Sequence, residues 1–332
     1  MMKTFTHNPI TLPKLKQVNL PGLRYYTKEG TDTKFASITS VISHNTKHKF
    51  IDWRKDVGEK EANRVTNRST TRGTKMHSLI ESYVGNEPLL EEVFKPEEDD
   101  KISNLLNPYD TIRAKKNSVT IDVYRESEDP LKVVISAGNI ISDILSKIFN
   151  EFGEIVIDEK STQYKKTIYI QASYYNFVNF CLELFEDSKL YKDTVESYKK
   201  LPFFLFDNLK PELNKIDNIL GIEIPLHSEY FGLAGTSDCI AKYNGILSII
   251  DYKTSEYIKK KEWIFDYFVQ AVAYRYMLKE LTGIEAPQLV IFMAAENGET
   301  KTFVETNFTP YARKLVEYIR NFKNAKNQEI AD

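Results

Sequence analysis

Leu233-Ala-Gly-Thr-Ser-Asp-Cys-Ile-Ala-Lys-Tyr-Asn-Gly-Ile-Leu-Ser-Ile-Ile-Asp-Tyr-Lys-Thr-Ser255 decides how this chain is read. Asn244-Gly245, flanked by apolar runs, is a strong signal for a two-residue hairpin turn. Strands are therefore expected at 235–242 and 246–253. Successive strand side chains alternate faces, so Asp251 and Lys253 project from one side of the sheet. The hairpin brings Asp238, thirteen positions earlier, opposite Asp251. Two carboxylates and an ammonium on one face suit a Mg²⁺ or Mn²⁺ site, because hard cations prefer oxygen ligands. Such an ion would polarise a phosphoryl oxygen and acidify bound water, with Lys253 orienting that water or offsetting transition-state charge. Alone, the D-x-K triplet reads equally as a strand-end salt bridge, worth ~0–1 kcal/mol when exposed.

Outward from the hairpin, a strand is expected at 221–227, a helix at 265–281, strands at 288–293 and 302–307, and a last helix from Pro310. Upstream, Met76, Leu79, Ile80, Tyr83 and Val84 keep helical spacing, so a helix starts at about Thr74 and stops at Gly85-Asn86-Glu87-Pro88. Thr39 or Ser40 would cap a helix before it, and residues 1–35, with Pro9, Pro13 and Pro21, read as irregular. The acidic run 95–100 reads as a boundary. Residues 107–170 form a separate small unit, with strands at 118–124, 155–157 and 167–170 and a helix lined by Ile141, Ile144, Ile148 and Phe152. Helices follow at 174–186 and 194–208. Helices, a strand meander, a helix and more strands make an α/β sheet with helices on its flanks.

The 332 residues leave room for about two domains. Hydrophobic residues at 42% and charged ones at 28% exclude collagen-like and largely disordered classes. Only Cys181 and Cys239 occur, too few for a disulfide framework, and no C-x-x-C suggests zinc. No apolar stretch spans a bilayer and no signal or transit peptide is expected, which points to a reducing cytoplasm and no membrane partner. The net charge of −2 conceals an asymmetry. Residues 1–77 hold 15 Lys/Arg against 6 Asp/Glu, whereas 81–110 hold 2 against 9. Lys47, Lys49, Arg54, Lys55, Lys60, Arg64, Arg68, Arg72 and Lys75, with Phe50 and Trp53 among them, suit phosphates and stacked bases. A solvated helical face with Trp53 in the core fits the same residues.

G-T-x-D, a short hairpin, then apolar-apolar-D-x-K-T-S resembles the second and third motifs of the PD-(D/E)xK nuclease superfamily, particularly its RecB-like branch. Gly73-Thr-Lys-Met-His77 upstream and Gln270-Ala-Val-Ala-Tyr274 downstream resemble that branch's G-x-x-x-H and Q-x-x-x-Y, in the same order. Ser37-Ile-Thr-Ser-Val41, Trp53, Arg72–Tyr83 and Gly221-Ile-Glu223 look like the family of the mitochondrial genome maintenance exonuclease and its phage-encoded relatives. The likeness covers roughly 24–90 and 171–310.

The resemblance implies a restriction-endonuclease-like α/β core, a mixed central sheet flanked by helices, interrupted by a small α+β insertion. Residues 1–98 would be the N-terminal helical part forming a DNA-binding arch, 99–170 the insertion and 171–332 the catalytic core. It implies two-metal-type phosphodiester hydrolysis with Mg²⁺ or Mn²⁺. Asp238, Asp251, His77 and the Tyr252 carbonyl would be ligands and Lys253 the catalytic lysine. Gln270, Tyr274, Arg72, Thr39, Trp53 and Ser255 would meet DNA. Glu81, one turn after His77, orients the imidazole or is a solvated charge. Glu223 joins the acidic cluster or lies on a polar face. The expected function is an exonuclease on single-stranded DNA ends, serving replication, recombination or repair, of phage origin and working in a bacterial cytoplasm. A flap or branch endonuclease and a non-catalytic DNA-binding subunit are the alternatives. Residues 107–170 would dock a helicase or single-strand-binding protein.

Overall fold

The structure, a computed structural model, describes residues 3–20, 23–89, 112–116, 119–128, 130–137, 141–172, 177, 180, 181, 184 and 189–331. The acidic run 95–100 and most of the helix expected at 174–186 lie outside them. In chain order the strands are β1 (Leu15–Leu20), β2 (Leu23–Lys28), β3 (Lys34–Ser37), β4 (Ile112–Lys116), β5 (Val119–Glu128), β6 (Leu131–Ser136), β7 (Ile155–Ile157) and β8 (Lys165–Ile170), then β9 (Ile216–Ser228), β10 (Leu233–Tyr243), β11 (Ile246–Ser255), β12 (Gln288–Ala295) and β13 (Thr300–Glu305). The helices are α1 (Ile38–Val57), α2 (Glu59–Val84), α3 (Ile141–Phe152), α4 (Lys189–Leu213), α5 (Phe265–Thr282) and α6 (Thr309–Ala331). Among the described residues no helix is long and apolar enough to cross a membrane.

The chain divides into two compact units. The first holds Met1–Asn63, Ser69–Glu91 and Pro202–Asp332, and the second holds Arg64–Arg68 and Glu92–Leu201.

The first unit is an α/β fold on a mixed sheet of order β1-β2-β3-β10-β11-β12-β13, with β9 also paired to β10. β10 and β11 form the expected antiparallel hairpin, with Asn244 at φ 50° and Gly245 at φ 81° as a primed turn requires. β11 and β12 are parallel, and α5 makes the crossover between them. α5 buries Phe268, Val269, Val272, Tyr274 and Met277 against Ile249, Leu289, Ile291 and Met293 of the sheet. α1 and α6 join that layer through Ile38, Val41, Leu315 and Tyr318. α2 approaches the opposite face, where the His77 ring meets Tyr252 edge-on at 5.8 Å and Tyr252 stacks on Phe292.

Three expectations are corrected. Residues 15–37 are not irregular: they form β1, β2 and β3, extending the sheet through β3's parallel pairing to Leu233 and Ala234. Lys, Gln and Asn fill the solvent-facing positions of this edge, and Tyr26 and Phe35 are its buried anchors, so period-2 alternation is faint. The residue at the N-cap position of α1 is Ser37, not Thr39 or Ser40, and it makes no side-chain cap bond to the helix; its hydroxyl pairs with the Thr39 hydroxyl at 2.7 Å. α2 starts at Glu59, directly after a break at Gly58 (φ 81°), not near Thr74. Its first fifteen residues contain only Ala62 and Val65 as apolar side chains, so they carry no hydrophobic period.

The second unit has an antiparallel sheet of order β4-β5-β6-β8-β7. α3 lays Ile141, Ile144 and Ile148 on Val123, Val133, Ile135 and Ile168, and Phe177 and Cys181 complete this core. β6 shows no alternation in sequence because Val133, Val134 and Ile135 are all buried.

Candidate active site

The site lies where β10 changes partner. Along one edge β10 pairs with β9 from Leu233↔Ser228 to Tyr243↔Ile216, with Asp238 left out of the register and a shift between Ile240 and Lys242. On the other edge Leu233 and Ala234 pair with β3, and Cys239–Tyr243 pair with β11. Gly235–Asp238 lie between these two pairings, where β3 and β11 part. This gap lets groups from α2, α5 and β2 reach the strand. The Tyr26 hydroxyl lies 3.4 Å from Thr236 Oγ1. Gly235 allows Tyr274 to approach: a Cβ there would stand 2.8 Å from Tyr274 Cε1.

Asp238 projects beside β11, one step beyond the last paired residues, and its Oδ2 accepts a 2.9 Å hydrogen bond from the Tyr252 amide. The His77 Nε2 donates to the Tyr252 carbonyl at 2.7 Å. A carbonyl only accepts, so Nε2 carries a proton, and Nδ1 faces Asp238 Oδ2, 3.6 Å away. Two acceptors aimed at each other repel unless a proton or cation lies between them. Glu223 completes the group, its carboxylate, His77 and Asp238 offering ligand atoms within 4.8 Å of one another.

The electrostatics match this crowding. Glu223 is exposed by surface area, yet the protein crowded around its carboxylate strips much of its water, and the Asp238, Glu81 and Asp251 charges add repulsion; its carboxyl is pushed up to about 8. Burial raises Glu81 as well, opposed by His77. Asp251 is 2% exposed, and burial pushes its carboxyl up to about 6 despite the Lys253 ammonium. Lys253 Nζ lies 2.7 Å from Asp251 Oδ1 and 2.6 Å from Oδ2. Burial alone would favour the neutral amine, but Asp251 and Asp238 outweigh it and raise Lys253 above its ordinary value. It is an ammonium throughout the physiological range. Tyr267 covers it, with the ring centroid 5.1 Å from Nζ.

The residues fit a hard divalent cation. His77, Glu223 and Asp238 form a three-donor cluster, and the buried Asp251 Oδ2, 2.6 Å from Lys253 Nζ, makes no hydrogen bond of regular geometry. Nearly all the donors are oxygens, which selects Mg²⁺ or Mn²⁺ over thiophilic metals. Sequence reasoning left Glu223 open. Its Gly-Ile-Glu context on β9 was the only signal, because the backbone turn that aims it (φ 45°) leaves no mark in composition.

The remaining predicted residues separate by contact. Gln270 Nε2 donates to the Tyr274 hydroxyl at 3.0 Å, and burial holds that phenol well above its usual range. Arg72 is 5% exposed; its Nε bonds Thr254 Oγ1 at 3.1 Å and its Nη1 pairs with Glu296. The guanidinium thus clamps α2 to the end of β11 rather than facing solvent. Ser255 is buried and donates to the Tyr257 carbonyl at 2.5 Å, holding the turn after β11. Thr39 is half-buried at the start of α1. Trp53, nearer the far end of α1, stands 5.5 Å from the exposed Phe50 ring, with Arg54 over Phe50.

The carboxylates at the hairpin, the lysine two residues on and the α2 histidine are now placed in one site. A family model for the PD-(D/E)XK nuclease superfamily matches residues 53–331. The chain belongs to the PD-(D/E)XK nuclease superfamily. A search of curated proteins returned no match. Superfamily membership makes this a metal-dependent nuclease, a phosphodiester hydrolase whose substrate is nucleic acid. The matched span starts within α1, at Trp53, and takes in the second unit and most of the first, leaving out β1–β3.

Proposed function

We propose that this nuclease is an exonuclease that degrades single-stranded DNA from a free end, in replication, recombination or repair. The observation that carries the hydrolytic part is the pairing of Lys253 with Asp251 beside the His77–Glu223–Asp238 cluster. Asp238, Asp251, Glu223, His77 and the Tyr252 carbonyl would hold Mg²⁺ or Mn²⁺. The ion would supply Lewis acidity toward a phosphoryl oxygen and an acidified water. Lys253, always charged, donates hydrogen bonds where negative charge builds on the phosphorane, and Asp251 keeps its Nζ aimed there. Gln270 fixes the Tyr274 hydroxyl, which sits beside Gly235 and aligns the strand carrying Asp238.

Preference for single strands is supported by α1. Phe50, 48% exposed beside Trp53, shares its stretch with Lys47 and Lys49, while Arg54 and Lys55 pair with Glu59 and Asp52; rings and ammonium groups so combined suit unpaired bases and their phosphates. The defining assay incubates 5′- and 3′-labelled linear single strands, closed single-stranded circles and duplexes with Mg²⁺ or EDTA. Linear strands are shortened from an end only with Mg²⁺, circles survive, and Lys253→Ala slows hydrolysis by about 10²–10³-fold. Cleavage of the circle would instead assign an endonuclease, and an unimpaired Lys253→Ala would displace the site.

A further inference from the structure

The segment after the catalytic hairpin carries chemistry that the site above does not use. Residues 256–263 read Glu-Tyr-Ile-Lys-Lys-Lys-Glu-Trp, placing three lysines between two aromatic residues immediately beyond Ser255. Tyr257 is 55% and Trp263 70% exposed. Exposed rings occur singly elsewhere, Tyr230 at 82% among them, whereas here two share one short stretch with lysines between them. The backbone beneath Trp263 is fixed, since its amide bonds the Lys260 carbonyl at 3.0 Å and the adjoining Ile264 is fully buried. Lys260 Nζ lies 5.6 Å from the Trp263 ring and has no carboxylate partner among the described residues.

This surface continues into the active site. Tyr267 stands between two ammonium groups, Lys253 Nζ at 5.1 Å and Lys259 Nζ at 5.4 Å from its centroid. Lys259 is half-buried and its Nζ bonds the Tyr267 hydroxyl at 3.0 Å, so one tyrosine side chain touches both the catalytic lysine and the segment that carries Lys260.

Lys261 pairs with Glu305 and Lys259 bonds the Tyr267 hydroxyl, which leaves Lys260 as the ammonium of this run available beside two exposed rings, and that combination matches a ligand offering π-faces and negative charge. A protein partner fits less well, because lysine is depleted at protein–protein interfaces. Duplex DNA fits less well too, since its bases are already stacked. We propose that Tyr257, Lys260 and Trp263 form a binding surface for the unpaired nucleotides next to the cleaved phosphate, stacking bases on the rings and pairing a phosphate with Lys260. The ligand class follows from the nuclease reading, and this surface names where its strand runs.

Fluorescence anisotropy of labelled oligothymidylate, measured in EDTA so that no hydrolysis occurs, tests the assignment. Trp263→Ala weakens binding about tenfold, the loss of one stacked base, while Trp263→Phe retains it. Lys260→Ala lowers the slope of log affinity against log salt by about 0.7, the loss of one phosphate contact on a single strand. Unchanged thermal unfolding of Trp263→Ala shows that the variant is folded. Equal affinity of wild type and Trp263→Ala overturns the proposal, as does a wild type that does not bind oligothymidylate. A change in sedimentation of the protein alone in Trp263→Ala, without a change in affinity, overturns it in favour of contact between copies. Binding through Trp263 by a protein that hydrolyses no strand with Mg²⁺ leaves this surface standing and removes the exonuclease.

Discussion

Glu223 combines two unfavourable features. Its backbone sits at φ 45°, a region that costs a residue with a side chain about 1–3 kcal/mol, and its carboxylate is aimed at two aspartates and Glu81. Such a residue persists where strain and repulsion are offset by a bound charge. The linkage has a definite sign. Glu223 titrates at about 8 when folded against an ordinary value of 4.5, so between these pH values the folded chain holds a proton that the unfolded chain has released. Its contribution to stability is full below about pH 4.5 and lost as pH rises through 8; Asp251, at about 6, adds the same trend over a narrower range. In EDTA the melting temperature should therefore fall between pH 5 and 8, less steeply in Glu223→Gln, and Mg²⁺ should flatten the wild-type profile by replacing the proton. Identical slopes for wild type and Glu223→Gln would show that Glu223 is not held in this cluster.

At the scale of elements, the parting of β3 and β11 from β10 creates the site, and the elements around it differ in how legible they are. The β10–β11 hairpin is readable because turn chemistry, alternation and the D-x-K spacing all agree. α5 is readable from its density of apolar residues. β1–β3 are not, because an edge anchored by Tyr26 and Phe35 takes its remaining order from pairing rather than from burial. The first half of α2 is unreadable for the same reason in a helix. Arg72 shows the limit within the site: sequence gives a cation near the motif, and only packing turns it inward onto Thr254 and Glu296. Removing one partner of a buried pair leaves the other charge uncompensated, so Arg72→Ala should cost about 3–5 kcal/mol in chemical denaturation. Adding Glu296→Ala should recover part of that loss. If Arg72 instead served DNA alone, stability would stay level and only strand affinity would fall. Gly235→Ala, which drives a Cβ into Tyr274, should cost about 1–3 kcal/mol by overpacking in the same assay.

At the scale of the whole molecule, the balanced charge is a sum of opposed regions: a basic N-terminal stretch, an acidic segment after it, and site carboxylates that a cation would neutralise. Two separate cores support this one chain. Ile249, Val272 and Leu289 belong to the first, Val123, Val133 and Ile168 to the second, and no residue is common to both. Cooperative unfolding depends on a shared core, so the chain should depart from two-state behaviour, with two calorimetric transitions. His77, Glu223, Asp238, Asp251 and Lys253 all belong to the first unit. A cation bound there stabilises that unit by about 2.7 kcal/mol at a hundredfold excess over Kd and gives the other unit no binding energy. Titrating Mg²⁺ should therefore raise one transition and leave the second in place, and Asp238→Asn with Asp251→Asn should abolish the shift without moving the second transition. A single transition that rises as a whole with Mg²⁺ would mean that the two cores unfold together, and that the cation's free energy is distributed over both.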